Sequence, residues 1–360
     1  MTFSEAFAAG SGSYRVTKIY LQDAAAESVY TDRLLAALPE VPLFRIADKS
    51  EIPPEDLTMR TIYLHQAPQA TFGTCPGSKG HRCCNYHTVD IYEGCPIGCS
   101  YCIMRSYLSF APISINTALE QEIRAIREAA RAHPNRPLRV GTGEVGDSLL
   151  YDSLTGISGD LIRGLAEVPN VHLELKTKTA SVDHLLDIEE KGNAVIGFSV
   201  NPELLAAEQG SAAPMEARLT AALRASGAGY RLALHFDPII AVEGWRDAYR
   251  DLVRFLEPLS PAVAWISLGT IRFTPALRDR MPDRGYLFDE FVPGRDGKYR
   301  YLQRRRRKIY SELLEALTER FDAPIYLCME SEAVWELVYG ESPERIVRLR
   351  DIFDPLEDER

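Results

Sequence analysis

Three cysteines within one stretch of twelve residues constrain this chain more than any other feature. In Glu93-Gly-Cys-Pro-Ile-Gly-Cys-Ser-Tyr-Cys-Ile-Met104, Cys95, Cys99 and Cys102 are separated by three and then two residues. Thiolates are soft ligands, and a group of them selects zinc or an iron–sulfur cluster. Structural zinc wants a closed set of four ligands, usually in two short-spaced pairs. No fourth thiol stands at matching spacing here. A cubane [4Fe–4S] cluster takes its thiolates one per iron, so three of them leave one iron open for another ligand. Gly94 and Gly98 let the backbone wrap closely, and Pro96 stiffens the loop and removes one N–H. The plainer alternatives are a structural zinc site or three unrelated buried cysteines; the tight spacing and the surrounding chain favour the cluster.

The chain has 360 residues, 46% of them hydrophobic and 26% charged, which are ordinary values for a soluble globular protein. The length exceeds one average domain, but α/β barrels of this size often form one unit with an appendage. No apolar run approaches a membrane span, and the N-terminus lacks the basic start of a secretory leader. Seven cysteines, an odd number with three on one loop, argue for a reducing cytoplasm and against a disulfide framework. The net charge of −10 counts against a globally basic nucleic-acid binder. It leaves room for a local basic groove, because a field over one face depends on how the charges are arranged.

Residues 1–74 read as an N-terminal α/β packing unit, with strands at 15–21, 41–46 and 61–64 and a helix at 29–38. Residues 67–88 are loop-like and crowd Cys75, Cys83, Cys84, His81 and His87 together. These could bind a second metal; as adjacent residues, however, Cys83 and Cys84 rarely ligate one ion together, and packing beside the cluster or lying near the surface is the favoured reading. From Thr88 strands alternate with helices. Strands are expected at 89–92, 138–143, 171–177, 194–200, 230–236 and 263–268. Helices are expected at 117–132, 161–167, 182–191, 214–226 and 245–257. This alternation implies βαβ units and a parallel sheet, and six strands suit a partial (β/α)6 barrel over residues 75–270. In such barrels the chemistry lies at the C-terminal ends of the strands. Glu144, Lys176, Lys178, Ser199, Asn201, His235 and Asp237 fall there. Residues 271–360 form a C-terminal extension, with a hairpin turn at 294–300, a helix from the basic run Arg304–Lys308 to Arg320, and a last strand ending at Cys328.

The cysteine spacing resembles the signature of the radical SAM superfamily. In that superfamily the open iron binds S-adenosylmethionine (SAM), and one electron releases a 5′-deoxyadenosyl radical; the protein supplies binding and aim. The ordered set Cys95–Cys102, Gly141-Thr-Gly-Glu-Val-Gly-Asp-Ser148, Lys176–His184, Gly197–Pro202, His235–Ile240 with Glu243-Gly-Trp245, and Asp296–Tyr301 resembles the spore photoproduct lyase family. The resemblance implies a carbon–carbon lyase that abstracts hydrogen from a thymine photoproduct in DNA. It also implies Lys178 and Ser199 contacting SAM, with Asn201 nearby and Tyr101 beside it, and a C-terminal hairpin that wedges into the duplex. A one-electron reductant such as flavodoxin or ferredoxin is implied as a partner, and a monomer is expected.

Two departures stand out. Where these lyases carry a hydrogen-donating cysteine after the second strand, this chain has Glu144, and Ile103 replaces an expected tyrosine. A carboxylate does not readily give up a hydrogen atom. Glu144 also resembles the glycine-glycine-glutamate element that holds the SAM ammonium in other radical SAM enzymes, and that role is preferred for it. The alternative is a barrel-mouth carboxylate paired with a lysine. Tyr101 and Glu144 are thus the candidates nearest the reacting centre. In the hairpin, Arg295, Lys298 and Arg300 are expected on DNA phosphates; the basic run after it is either a phosphate strip or a solvated helix start. Rival readings keep the radical chemistry on an RNA, peptide or small-molecule substrate, or make the chain a nucleic-acid binder with a structural or redox-sensing cluster.

Overall fold

Short parallel strands with buried aliphatic side chains run through both halves of this chain. The computed structural model describes residues 15–78, 80–282 and 285–353. The chain divides into two compact units. The first takes in the described residues up to Thr74 with His87–Gly98 and Leu108–Ala194. The second takes in Cys75–Tyr86, Cys99–Tyr107 and the described residues from Val195 onward.

In the first unit, β1 (Lys18–Gln22), β2 (Leu43–Ile46) and β3 (Thr61–His65) pair in parallel. The helix Val29–Ala37 returns the chain between β1 and β2, with the Ser28 side chain accepting from the Tyr30 amide. Two-residue β4 (Gly73–Thr74) lies antiparallel to β5 (Tyr86–Thr88). Next come β6 (Tyr92–Glu93) and β7 (Ile113–Asn116), which extend the N-terminal sheet to the order β2-β1-β3-β7-β6. A single strand was expected at 89–92; instead β5 and β6 flank Val89–Ile91. All four residues of β7 are buried, so the strand shows no alternation for the sequence to reveal. Then β8 (Leu138–Gly141) pairs in parallel with β9 (Val171–Thr177). Helices Leu119–Ala132 and Ile157–Leu165 belong to this unit. The helix expected at 182–191 is only a 3₁₀ turn at Asp183–Leu185. Its buried residues Val182, Leu185 and Ile188 recur every three positions, the period of a 3₁₀ turn rather than of an α-helix.

The second unit carries β10 (Val195–Ser199), β11 (Arg231–Ile239) and β12 (Val263–Thr270), all parallel. β10 is buried along its whole length and β11 and β12 almost so, as expected for strands covered on both faces. The helix Met215–Gly227 follows Pro214, whose fixed φ suits a helix start. The helix Trp245–Leu256 buries Trp245, Tyr249, Leu252, Val253 and Leu256 on one face. A small antiparallel sheet forms from β13 (Arg272–Phe273), β14 (Phe291–Pro293) and β15 (Tyr299–Tyr301) in the order β13-β15-β14. The helix Gln303–Thr318 then leads to β16 (Ile325–Leu327), parallel to β12, and to a helix at Glu332–Tyr339.

Candidate cluster and cofactor site

Within the first unit, Cys95 and Glu144 are joined through the backbone. The Gly94 amide donates to the Val145 carbonyl at 3.0 Å, and Gly94 and Gly146 form a β-bridge. Any side chain at Gly146 would collide with the Tyr92 carbonyl, so the close approach requires glycine. Gly94 has φ +88°, the left-handed region in which glycine turns the chain into the cysteine loop. Cys95 and Glu144 are both half-buried. Burial first, then the carboxylates of Glu93 and Glu144, pushes the nearby Asp90 carboxyl up to about 6. Further negative charge beside these carboxylates is therefore disfavoured.

Asp147 fastens the Glu144 turn to the end of β9. Its carboxylate accepts from the Lys178 amide at 2.7 Å, the Thr177 hydroxyl at 2.8 Å and the Leu149 and Leu150 amides at 3.0 Å. Ser148 reinforces the join by accepting from the Lys176 amide at 3.0 Å. A Cβ on Gly143 would lie 2.8 Å from the Lys176 Cβ. The unit thus brings Cys95, Glu144 and the half-buried Lys178 to neighbouring strand ends. Nothing in the sequence marked Asp147 except its place in the quoted motif.

The second unit positions Cys99, Tyr101, Cys102, Ser199 and Asn201. Cys99 and Tyr101 are buried and Cys102 is half-buried. Burial, with the Cys99 thiol beside it, holds the Tyr101 hydroxyl well above its ordinary pKa. The Cys99 sulfur donates to the Gln209 carbonyl at 3.5 Å. The buried Arg218 guanidinium links this region to the end of β10: it donates to the Ser199 carbonyl and the Gln209 Oε1, each at 2.6 Å, and to the Ala213 carbonyl at 2.8 Å. Asn201 is fully buried, and its amide donates to the Pro238 carbonyl at 2.9 Å. His235 lies 2.6 Å from the Ser267 hydroxyl, and Arg272 pairs with Asp237 at 3.2 Å. Arg218 escaped the sequence reading; an arginine on the apolar side of a helix was the available signal.

The three cysteines fit a cubane by donor type and spacing. Among the described residues no three His, Cys, Asp or Glu side chains converge as they would around one metal ion. A four-iron cluster does not ask for that, because each thiolate binds a different iron. Cys75, Cys83, Cys84, His81 and His87 make no such group either.

The hairpin corrects one expectation. β14 and β15 do form it, with Gly297 at φ +76° in the turn. Of its three cations, however, only Arg295 is exposed. Arg300 is 4% exposed and grips Asp296 with two bonds of 2.7 Å. Lys298 is 8% exposed and donates to the Ser78 hydroxyl at 2.9 Å. Burial would raise the Asp296 carboxyl, but the Arg300 hydrogen bonds and charge hold it well below the usual range. The aromatic residues stack on one another, Phe273 on Tyr299 at 5.8 Å and Phe291 on Tyr301 at 4.5 Å. In the basic run, Arg306 is buried against Glu330 at 2.7 Å, while Arg304, Arg307 and Lys308 are exposed.

A loop of three cysteines, followed by a glycine–glutamate turn at the strand ends of a parallel sheet, defines a radical SAM partial barrel, the fold class the sequence implied. The chain belongs to the spore photoproduct lyase family, whose family model matches residues 79–275. The spore photoproduct lyase of Geobacillus sp. (strain Y412MC61) is 28% identical over 252 residues, covering 65% of this chain and 73% of that protein. The one from Bacillus subtilis (strain 168) is 26% identical over 181 residues, 49% of this chain, and the match spans about half (52%) of that relative. Among solved structures, a spore photoproduct lyase double mutant with bound AdoMet and dinucleoside spore photoproduct has the same fold. It superposes with a TM-score of 0.77 at 19% identity, covering 88% of this chain and 99% of that one. A spore photoproduct lyase complexed with dinucleoside spore photoproduct gives 0.76 at 19% identity over the same shares. Among the described residues, no helix is long and apolar enough to cross a membrane.

Proposed function

We propose that this protein is a radical SAM lyase that repairs ultraviolet lesions in DNA. The observation that carries the reading is the family match across residues 79–275 together with a cysteine loop joined by backbone hydrogen bonds to the Glu144 turn. Cys95, Cys99 and Cys102 would hold a [4Fe–4S] cluster, and the cluster with SAM would supply the radical chemistry for hydrogen abstraction from the lesion. Glu144 takes the methionyl ammonium and Lys178 the carboxylate, each by a charge-assisted hydrogen bond. Ser199 and Asn201 are further SAM contacts, and Tyr101 lies beside the cofactor. Residues 1–74 serve as packing, 75–270 as the catalytic barrel and 271–360 as the extension that meets DNA. A small one-electron carrier such as flavodoxin or ferredoxin reduces the cluster, and the enzyme works as a cytoplasmic monomer.

A second reading, the same chemistry on a non-DNA substrate such as RNA, a peptide or a small molecule, is favoured by two observations. Glu144 stands where the resemblance implied a hydrogen-donating thiol, and two of the three hairpin cations are turned inward. Anaerobic reconstitution with SAM and a reductant separates the readings. Release of 5′-deoxyadenosine or repaired thymine that depends on ultraviolet-irradiated DNA supports the first. SAM cleavage indifferent to damaged DNA rules it out in favour of the second.

A further inference from the structure

We infer that Glu208 is a positioning residue for the cluster loop, fastening the segment between Cys99 and Cys102 to the wall of an adjoining cleft. The inference rests on the proposal that these cysteines hold a cluster, and it adds a residue outside every motif quoted above. Ser100, between the two cysteines, is held twice. Its amide donates to the Glu208 carbonyl at 3.0 Å, and its hydroxyl donates to the Glu208 Oε2 in a short hydrogen bond. The Tyr286 hydroxyl donates to the same oxygen at 3.1 Å. An ionised carboxylate only accepts, so both hydroxyls are committed as donors and their orientations are fixed. The next residue continues the contact: the Gln209 carbonyl lies 3.5 Å from the Cys99 sulfur.

All of this is buried. Ser100 and Tyr286 are each 7% exposed and Glu208 is 5%. Glu208 therefore acts on the cluster by fixing the loop. Hydrogen bonds and charges around metal ligands tune the centre they hold. On its other side, Glu208 lines a cleft of about 500 Å³ with Leu205, Ala241, Val242, Tyr286 and Phe288. Tyr286 and Glu208 thus belong to the cleft wall while they grip the loop.

The test reads the cluster rather than turnover. Wild type, Glu208→Gln, Ser100→Ala and Tyr286→Phe are reconstituted anaerobically, and iron per chain, midpoint potential and the electron paramagnetic resonance of the reduced cluster are measured. Glu208→Gln keeps the side-chain shape but turns an accepting oxygen into an N–H donor, so the loop loses an anchor and the resonance should broaden with a shifted potential. Ser100→Ala frees the same loop, so its resonance should broaden as well. Tyr286→Phe should alter the resonance in the same sense as Ser100→Ala. Wild-type potential and line shape in both Glu208→Gln and Ser100→Ala overturn the inference. If Glu208→Gln does not fold, Ser100→Ala decides alone. A wild type that takes up no iron refutes the parent reading instead.

Discussion

Replacing Arg295 with alanine should change how DNA binding responds to salt, whereas replacing Lys298 or Arg300 should not. Arg295 stands exposed in the hairpin turn, while Lys298 and Arg300 are 8% and 4% exposed and lie against Asp296. Each phosphate neutralised contributes about −0.9 to the slope of log K against log salt on duplex DNA. Over a fourfold rise, from about 50 to 200 mM, one such contact is worth roughly 3.5-fold in affinity. Wild-type binding to an ultraviolet-irradiated duplex should therefore weaken about 3.5-fold more over that range than binding by Arg295→Ala. Fluorescence anisotropy across a salt series measures both slopes.

The inward cations give the contrast. Arg300→Ala strips Asp296 of its two 2.7 Å bonds and leaves it the 3.9 Å contact with Lys298, so the cost should approach but not reach the penalty of about 3–5 kcal/mol for a buried charge left alone. That variant should lose thermal stability and protease resistance around the hairpin while any DNA it binds shows the wild-type salt slope. The reasoning fails if Arg295→Ala leaves the slope unchanged. It also fails if Lys298→Ala lowers the slope by about one contact, because a buried lysine held by the Ser78 hydroxyl and beside the Asp296 carboxylate does not reach a phosphate.

Three further outcomes are expected. Changing Cys95, Cys99 and Cys102 together to alanine should abolish the visible absorption of the reconstituted cluster and all SAM cleavage, and a retained four-iron spectrum would refute the ligand assignment. Asp90, held at about 6, favours its protonated form in the fold, so its stabilising contribution is full below about pH 4 and lost as pH rises through about 6; Asp90→Asn should melt above wild-type apoprotein at pH 7.5, by on the order of 2 kcal/mol, and equally at pH 4. Gly146→Ala should lower iron uptake, because its Cβ would push the Tyr92 carbonyl, on the strand leading to Cys95, away from the Glu144 turn; wild-type iron content in that variant would contradict the account of that turn.

What the sequence made legible follows from how local each signal is. Cysteine spacing, parallel apolar strands such as 171–177 and 195–199, and helix starts such as Pro214 are written in neighbouring residues, and the structure has them in place. The β7 strand was missed because four buried residues without alternation give no period to read. The 182–191 segment was misread because apolar residues three apart fit a 3₁₀ turn as well as a poor helix. Contacts between distant positions were out of reach. Glu208 meets Ser100 across 108 positions and Arg218 meets Ser199 across 19, and neither partner carries a mark of the other. The hairpin lies between these cases. Its cations were visible, and so was Asp296, four residues before Arg300. A carboxylate so near two cations predicts competition for them, and burial decides it. Once Asp296 and Arg300 leave water, their attraction strengthens while phosphate stays outside. Counting cations near a turn therefore overstates how many face solvent by the number that an internal acid can reach, and of these three Arg295 is the one left exposed.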